Sequence, residues 1–379
     1  MKILYLINHR PFFVSHRLPI ALNMKSNGHE VHLLTGKSND KNMEKYAAKQ
    51  LKKNDIKSNV LDFNSANTNL FESIKTLSKT YKFIKKLNPD LIHTASMKAI
   101  ILSGLCCLLI KKPIVIAFSG FGYIFTESKN LKTQSLKFII EFLLKIIFIN
   151  KKKHIIVQNK FDFNYLFKNF NLNKKDISIL NGSGVILNNV KNNIKKNNIV
   201  LFPSRILIHK GIIEFIEAAK FLKKKYNNWK FLAVGSYEGD NPTNLDLKYL
   251  KQVEKNNIVS FLNYTPKINY FFNKSKIVCL PTYREGTPKS LIDACALGLP
   301  IITTKIPGCH LVVKSGYNGY KVPVKNINSL INKLEILIKS QTIRKKFSKN
   351  SFLIAKRYFD IKIIIAKHSK IYQKVFNEK

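Results

Sequence analysis

The chain alternates short β-rich runs with longer helical stretches, and it does so in two successive series. Each series has the pattern of a parallel sheet covered by helices on both faces. A chain of 379 residues also exceeds the roughly 250–300 at which a single hydrophobic core usually stops growing. Between the two series lies NNVKNNIKKNN at residues 188–198, a polar, low-complexity stretch that indicates a linker. The sequence therefore predicts two Rossmann-like α/β domains.

The predicted N-terminal domain covers residues 1–187, the C-terminal domain covers 199–358, and a last helix at 359–379 returns to the first domain. The predicted strands are Ile3–Ile7, Val31–Thr35, Leu91–Thr94, Ile114–Phe118, Ile155–Val157, Ile199–Phe202, Lys230–Val234, Val259–Leu262, Ile277–Leu280 and Pro300–Thr303. The predicted helices include Ser15–Ser26, Asn69–Leu87, Leu136–Asn150, Gly211–Tyr226, Leu245–Lys255, Lys267–Asn273, Pro288–Leu297 and Ile361–Phe376. Ligands of open α/β sheets bind beyond the carboxyl ends of the strands, so the two domains are expected to face across a cleft.

Two segments are strongly apolar, Met97–Ile110 and Phe138–Ile149, but each is shorter than the roughly 20 residues that cross a bilayer. The N-terminus MKILYLINHRPFF has the character of a first strand rather than of a secretion signal, which favours a cytoplasmic location. The five cysteines have no C-x-x-C spacing and stand mostly in apolar surroundings. They are predicted to be reduced, buried thiols.

The formal net charge of +43 is extreme. Such a field attracts polyanions, so three interpretations arise: a solvated lysine surface, attraction to an anionic membrane, or nucleic-acid binding. Only six of the 65 basic residues are arginine. Proteins that read DNA sequence depend on bidentate arginine, so we expect no nucleic-acid partner.

The segment Val278–Thr304, VCLPTYREGTPKSLIDACALGLPIITT, predicts a strand, a polar turn, a helix and another strand. Thr287 is a favourable N-cap and Pro288 a favourable first helical residue, so the first N–H groups of this helix are expected to form an anion site. Glu285 precedes the helix and Asp293 follows eight positions later. One acid can thus meet a ligand at the helix start while the other reaches its flank.

Two acids separated by seven residues, after a strand that ends in Pro-Thr, resemble the motif of retaining glycosyltransferase family 4. The resemblance implies a GT-B fold, with Glu285 on the donor sugar and Asp293 on the ribose hydroxyls. Asp293 stands where glutamate is more usual, so its ribose contact is expected to be longer or bridged by water. The alternatives are a turn carboxylate paired with Arg284 for Glu285, and an ordinary helix-surface aspartate for Asp293.

A second part of the resemblance is LFPSRILIHKG at 201–211. A strand end followed by Arg205 and then by Lys210 is similar to the family's clamp for the donor diphosphate, since fixed cations stabilise a departing nucleoside diphosphate. Gly235 and Ser236 resemble the turn near the nucleotide base, and Pro307–Cys309 resembles a loop beside the donor. For Arg205 and Lys210 the alternative is an ordinary surface cation.

The N-terminal domain has no equally specific motif, and the family's frequent glycine-rich loop after the first strand is absent. NHRPFFVSHRL at 8–18 places basic side chains after that strand, and FSGFGY at 118–123 places two glycines after another. We predict that these loops bind the sugar or diphosphate of an acceptor, or alternatively that they are structural turns. His93 is a weaker candidate, with packing or a supporting hydrogen bond as the alternative. The predicted acceptor-side residues are His9, His16, Arg17, His93, Gly120 and Gly122.

The helical stretch at 136–153, LKFIIEFLLKIIFINKKK, either docks on an anionic membrane or is a buried domain helix. The resemblance favours the membrane, because it extends to bacterial enzymes that act on polyprenyl-diphosphate-linked acceptors at the inner face of the cell membrane. It implies transfer of a hexose or N-acetylhexosamine from a nucleotide sugar, expected to be UDP-linked.

No Asp-x-Asp metal clamp occurs in the sequence, so neither a metal nor another cofactor is expected. Two alternatives are a sugar-nucleotide epimerase of the same fold and a basic nucleic-acid-binding protein.

Overall fold

The computed structural model describes residues 1–38, 40–61, 70–121, 131–187, 196–237 and 243–377. The contacts divide the chain into an N-terminal unit, Met1–Ser183 with Lys362–Lys379, and a C-terminal unit, Gly184–Ile361. The predicted domain limits at 187 and 359 lie a few residues away from these divisions. The proposed linker at 188–198 falls mainly outside the described residues.

The N-terminal unit contains a seven-stranded parallel sheet in the order β3-β2-β1-β4-β5-β6-β7. Its strands are β1 (Lys2–His9), β2 (Glu30–Gly36), β3 (Lys57–Val60), β4 (Leu91–Ala95), β5 (Ile114–Ala117), β6 (Lys153–Val157) and β7 (Ile177–Ile179). The sequence predicted five of them and missed the two edge strands. Both are short, and β3 is polar and half exposed, so neither has the apolar run that reveals a central strand.

The helices of this unit are α1 (Arg10–His16), α2 (Leu18–Ser26), α3 (Lys41–Lys53), α4 (Leu70–Leu87), α5 (Met97–Leu109), α6 (Leu131–Ile147) and α7 (Lys160–Asn169). The single helix predicted over Ser15–Ser26 was wrong, because α1 ends at His16 and α2 begins at Leu18. Pro19 lies in the first turn of α2. Proline has no N–H and suits a helix start, so it separates the two helices at Arg17.

The C-terminal unit contains a six-stranded parallel sheet in the order β10-β9-β8-β11-β12-β13. Its strands are β8 (Ile199–Phe202), β9 (Lys230–Val234), β10 (Ser260–Leu262), β11 (Ile277–Leu280), β12 (Ile301–Thr304) and β13 (Gly319–Val322). Its helices are α8 (Ile212–Lys225), α9 (Leu247–Lys255), α10 (Ile268–Lys274), α11 (Lys289–Ala296), α12 (Ile327–Lys339) and α13 (Gln341–Ile354), and a π-helical turn follows at Ala355–Phe359.

The last helix, α14 (Ile361–Asn377), packs in the N-terminal unit and buries Ile364, Tyr372 and Val375. The predicted architecture, two parallel α/β units with a C-terminal helix returning to the first, is confirmed. All five cysteines are free and buried, also as predicted. Within the described ranges, no helix combines the length and apolar character needed to span a bilayer.

Strand order reverses once in each sheet, between β1 and β4 in the N-terminal unit and between β8 and β11 in the C-terminal unit. At such a point the loops that follow the two neighbouring strands diverge and leave a crevice at the carboxyl edge of the sheet. Each unit therefore has one preferred place for a ligand.

Candidate functional site

The crevice of the C-terminal unit brings together Lys210, which follows β8, and Glu285, which follows β11. Lys210 Nζ and Glu285 Oε1 form a close ion pair, and the two side chains are only 12% and 17% exposed. The hydroxyl of Thr282 lies 3.3 Å from the same carboxylate oxygen. Two residues 75 positions apart, selected from two separate motifs, therefore meet at one point.

Three glycines hold the loops of this crevice against one another. A Cβ on Gly211 would lie 2.2 Å from the carbonyl oxygen of Pro281, and one on Gly235 would lie 1.9 Å from that of Ser204. A Cβ on Gly308 would lie 1.8 Å from the carbonyl oxygen of Gly286. Each contact is closer than any side chain allows, so these glycines permit direct packing of backbone on backbone.

Arg205, Gly235 and Ser236 are neighbours through this packing. The backbone of Ser204 and Arg205 lies against Gly235, and the N–H of Ile206 donates to the Ser236 carbonyl at 3.1 Å. The Arg205 side chain is exposed at the end of β8. The predicted diphosphate and base-binding residues thus lie on adjacent loops of one sheet edge.

Helix α11 begins one residue later than predicted. Pro288, with an extended ψ of 118°, occupies the N-cap position, and it makes no side-chain cap hydrogen bond. Thr287 is therefore not the N-cap; it is buried just before it. Asp293 forms an ion pair with Lys289 one turn earlier on the helix. Its carboxylate thus has a cationic neighbour, and its contact with ribose stays a prediction.

Two further residues support the Glu285 loop, and sequence reasoning missed both. The hydroxyl of Tyr283 donates to Glu214 Oε1 at 2.7 Å, and burial followed by the neighbouring Glu214 raises the pKa of Tyr283. Glu214 is buried in the first turn of α8, where a carboxylate is favoured by the helix dipole. The only signal in the sequence is an acid three residues after Gly211.

In the N-terminal unit, His9 and His16 lie at the two ends of α1. His9 is the N-cap, since its Nδ1 accepts the N–H of Phe12 at 3.1 Å. His16 stacks on the ring of Phe12, with centroids 4.2 Å apart. Gly120 follows β5 with a φ of 111°, a conformation that favours glycine. Gly122 lies outside the described residues.

Arg17 and His93 are interior residues rather than surface groups. Arg17 is 2% exposed and its Nε donates to His93 Nε2 at 3.1 Å, while His93 Nδ1 lies 2.7 Å from the hydroxyl of Tyr372. A guanidinium only donates, so His93 Nε2 must be the acceptor and Nδ1 must carry the proton. The Tyr372 hydroxyl in turn lies 3.2 Å from that of Tyr5. This network connects α14 to β1, β4 and Arg17.

The network contains a buried cation, Arg17, for which the described part of the chain offers no counter-charge. Among the described residues no carboxylate lies within ion-pair distance of Arg17, and its other hydrogen bond is to the carbonyl of His16. Burial, and then the charge of Arg17, holds the pKa of His93 well below its usual range, so this ring is neutral. Burial of an uncompensated charge is costly, which is typical of residues kept for a purpose other than stability.

Polar atoms without partners also lie at the ends of β1 and β4. Asn8 Oδ1, Thr94 Oγ1 and Ser96 Oγ are buried and make no hydrogen bond within the described structure. Ser96 has a φ of 78°, which is unusual for a residue with a side chain, and its hydroxyl does not cap α5. Unpaired polar groups and backbone strain are common where a ligand binds. None of these three residues was selected from the sequence.

No group of three His, Cys, Asp or Glu side chains suited to a metal ion occurs among the residues that the structure describes. The expectation of chemistry without a metal or cofactor stays a prediction.

Two solved structures share this fold over almost the whole chain. The UDP complex of Anabaena Alr3699/HepE has a TM-score of 0.74 at 17% identity and covers 99% of this chain and 100% of its own. The sucrose-phosphate synthase of Thermosynechococcus elongatus has a TM-score of 0.78 at 15% identity, with 100% of both chains covered. The fold is thus that of the GT-B glycosyltransferases.

The family assignment comes from sequence. Residues 187–353 match the model of Glycosyl transferases group 1, and residues 2–159 match Glycosyl transferase 4-like. The chain is therefore a glycosyltransferase, with a C-terminal unit that matches group 1 and an N-terminal unit that matches the 4-like model.

Two curated glycosyltransferases are similar to this chain in sequence over most of its length. The N,N'-diacetylbacillosaminyl-diphospho-undecaprenol alpha-1,3-N-acetylgalactosaminyltransferase of Campylobacter jejuni is 28% identical over 97% of this chain and 98% of its own length. The UDP-Gal:alpha-D-GlcNAc-diphosphoundecaprenol alpha-1,3-galactosyltransferase of Escherichia coli is also 28% identical, over 78% of this chain and 80% of its own.

Proposed function

We propose that this glycosyltransferase moves a hexose or N-acetylhexosamine from a UDP-sugar to a polyprenyl-diphosphate-linked glycan, with retention of anomeric configuration. The observation that carries the donor half is the Lys210–Glu285 pair at the point where strand order reverses in the group 1 unit. The acceptor half is supported by the two relatives, whose names both specify diphosphoundecaprenol-linked sugars.

On the donor side, Lys210 and Arg205 bind the diphosphate. As the bond from the anomeric carbon to the phosphate oxygen breaks, negative charge grows on the leaving group and positive charge on the sugar ring. A fixed cation beside the phosphate and a carboxylate beside the sugar stabilise both charges. The ion pair with Glu285 keeps the Lys210 ammonium in place before the donor arrives, so little reorganisation is needed.

Other residues at this edge recognise the nucleotide. Thr287 and the first residues of α11, Lys289 and Ser290, offer backbone N–H groups to the phosphates, and Pro288 sets the start of the helix. Asp293 binds the ribose hydroxyls, and Gly235 with Ser236 borders the base. No metal takes part in this scheme, because the lysine, the arginine and the helix start supply the positive charge.

On the acceptor side, the crevice between β1 and β4 binds the sugar and diphosphate. His9, His16 and Gly120 border it, together with the unpaired polar groups of Asn8 and Ser96. Arg17 supplies positive charge from the interior of the unit. His93 does not contact the acceptor but positions Arg17 by accepting its hydrogen bond. Because polyprenyl diphosphates are membrane lipids, the protein works as a peripheral enzyme at the inner face of the cell membrane.

The test is a panel of mass-tagged nucleotide sugars incubated with the purified protein, with and without a polyprenyl-diphosphate-linked acceptor. UDP-GalNAc and UDP-galactose come first, because the relatives are named for these sugars. We expect one donor to be consumed into the lipid fraction, with an α-anomeric product by NMR and unchanged turnover in chelator. Conversion of the donor alone into another sugar nucleotide would indicate an epimerase and contradict the proposal, as would a β-linked product.

A further inference from the structure

Helix α6 is apolar on both of its faces. Its inner face buries Ile140, Leu144 and Ile147 against the N-terminal core. Its outer face exposes Phe138 and Phe142, which are 71% and 56% accessible. They are accompanied there by the exposed residues Leu131 and Ile139. A domain helix of this kind normally has a polar outer face, so the outer residues of α6 are available to something other than the core.

Helix α4 adds to the same surface. It packs against α5, and α5 packs against α6, so the three helices form one layer on one face of the sheet. At the start of α4, Phe71 and Ile74 are 81% and 57% exposed. Helices that connect parallel strands run opposite to them, so the starts of α4 and α6 lie near the carboxyl edge of the sheet. The exposed apolar residues are therefore displaced toward the edge that holds the proposed acceptor crevice.

The charge around these apolar residues is strongly positive. The α4 segment 70–87 contains a single acid, Glu72, and its exposed lysines are Lys75, Lys79, Lys82, Lys85 and Lys86. Helix α6 and the turn after it also contain a single acid, Glu141, against lysines that include Lys137, Lys145, Lys151 and Lys152. A second copy of this chain would bring like charges together at this face. An anionic surface would complement them, and exposed phenylalanines suit insertion among its acyl chains.

From this arrangement we propose that the outer face of α6, with the start and the lysines of α4, is a docking surface for anionic phospholipid. Phe71, Ile74, Phe138 and Phe142 enter the interfacial region of the bilayer, and the α4 lysines contact the lipid phosphates. The surface delivers the N-terminal sheet edge to the membrane plane, where the diphosphate of a lipid-linked acceptor lies. The inference rests on the proposed lipid-linked acceptor for its purpose, but lipid binding is measured independently of catalysis.

The first experiment measures flotation with vesicles of phosphatidylglycerol and phosphatidylcholine, and with phosphatidylcholine alone. The full chain is compared with a Phe138→Ser, Phe142→Ser variant and with a control pair at exposed apolar positions of the C-terminal unit, Phe221→Ser with Leu353→Ser. We expect binding to the anionic vesicles only, about tenfold or more weaker for the α6 variant and unchanged for the control. A Lys75→Gln, Lys79→Gln, Lys82→Gln variant should weaken binding as well, and more so at low salt.

Equal binding by the α6 variant and the wild type would overturn the proposal, as would absence of wild-type binding to anionic vesicles. A wild-type dimer that the α6 substitutions convert to a monomer would also overturn it, since a second copy would then occupy the face. Activity separates this proposal from the proposed function. The α6 variant should turn over a short, water-soluble isoprenyl diphosphate acceptor normally and lose turnover of the vesicle-borne acceptor. Failure of the wild type on both acceptors, with lipid binding intact, would contradict the proposed function alone.

Discussion

The carboxyl edges of the two sheets occupy the same place in the topology but are built in opposite ways. In the C-terminal unit the cation Lys210 is paired with the carboxylate Glu285, and the loops pack through glycine backbone. In the N-terminal unit the cation Arg17 is buried beside a neutral histidine and without an acid in the described structure. At the first edge Lys210 already has a carboxylate partner before a ligand arrives. At the second edge Arg17 has only neutral hydrogen-bond partners in the described structure, and buried polar groups there are unpaired.

The two edges therefore respond differently to an anionic ligand. A lysine that is already paired is held in position, so it can contact an incoming diphosphate without a large movement. A buried arginine without a counter-charge raises the free energy of the folded unit, and an anion that approaches it lowers that free energy. Under the proposed function, the donor edge is thus organised for rate and the acceptor edge for capture of an anionic ligand.

The largest effect is expected at the paired charges of the donor edge. Glu285→Gln keeps the shape of the side chain but removes the charge opposite the developing positive charge of the sugar. We expect kcat to fall about 10²–10³-fold, with the folded structure retained. The control is Glu217→Gln, which removes the partner of Lys220 in a partly exposed pair on α8 and should leave kcat unchanged. Equal activity of the two variants would remove Glu285 from the donor site.

The backbone packing of the donor edge gives the next effect. Gly308→Ala places a Cβ 1.8 Å from the Gly286 carbonyl oxygen and 2.3 Å from that of Glu285, so the Glu285 loop has to move. We expect kcat/KM to fall roughly 10–100-fold, since small displacements of a catalytic group are costly. Gly316→Ala is the matched control, because its φ of +78° is strained for alanine but a Cβ there meets nothing within 4 Å. It should cost about 1–2 kcal/mol of stability and no activity.

Lowering the pH is expected to destabilise the N-terminal unit more than the C-terminal unit. Burial lowers the pKa of His93, brings that of His154 to about 4 and brings that of His368 to about 3, and all three belong to the N-terminal unit. In the unfolded chain these rings titrate near 6.5. The unfolded state therefore binds more protons below that pH, and stability falls as the pH decreases. His368 alone should cost about 2 kcal/mol between pH 7 and pH 5.

Hydrogen exchange at pH 7 and pH 5 measures this difference. Amides of the N-terminal unit should lose protection first, and His368→Leu should reduce the loss. In the C-terminal unit burial also lowers the pKa of His310, but that residue is exposed and contributes less. Earlier loss of protection in the C-terminal unit would contradict this assignment of the buried histidines.

The smallest effect is expected at the Tyr372 hydroxyl, which is hydrogen-bonded to His93. Tyr372→Phe leaves the Nδ1–H of His93 without an acceptor in the interior, which should cost about 1–3 kcal/mol in urea unfolding. Tyr283→Phe in the C-terminal unit removes the hydrogen-bond donor of the buried Glu214 carboxylate and should cost at least as much, since the group left without its donor is charged. If His93 positions Arg17 for the acceptor, Tyr372→Phe should also raise the acceptor KM and leave the donor KM unchanged. A rise in both KM values would assign the network a structural role only.

The two edges also differ in how much of them the sequence reveals. At the donor edge Lys210 and Glu285 lie in the segments that follow two strands defined by the apolar pattern, so these residues and the strands were predicted together. The ion pair between them follows once β8 and β11 are known to be neighbours in the sheet. At the acceptor edge the partners of Arg17 and His93 come from β1 and from α14, and Tyr372 is 279 positions from His93. Contacts of that separation leave no local pattern.

Other gaps have local physical causes. The edge strands β3 and β7 are too short and too polar to show as apolar runs, and α1 was merged with α2 because their apolar residues continue across Arg17. The close approaches of Gly211, Gly235 and Gly308 involve backbone atoms of distant loops. A glycine in the sequence predicts conformational freedom, but not which backbone it will meet.

The most direct measurement of the central claim is UDP binding by titration calorimetry to the wild type, Lys210→Ala and Lys220→Ala. Both lysines form ion pairs with a glutamate in the C-terminal unit, but only Lys210 lies in the segment between β8 and α8 and pairs with Glu285. Loss of a charge-assisted contact to phosphate should weaken UDP binding by Lys210→Ala about tenfold or more, while Lys220→Ala binds as the wild type does. Unchanged UDP affinity in folded Lys210→Ala would show that the donor diphosphate does not bind at this edge.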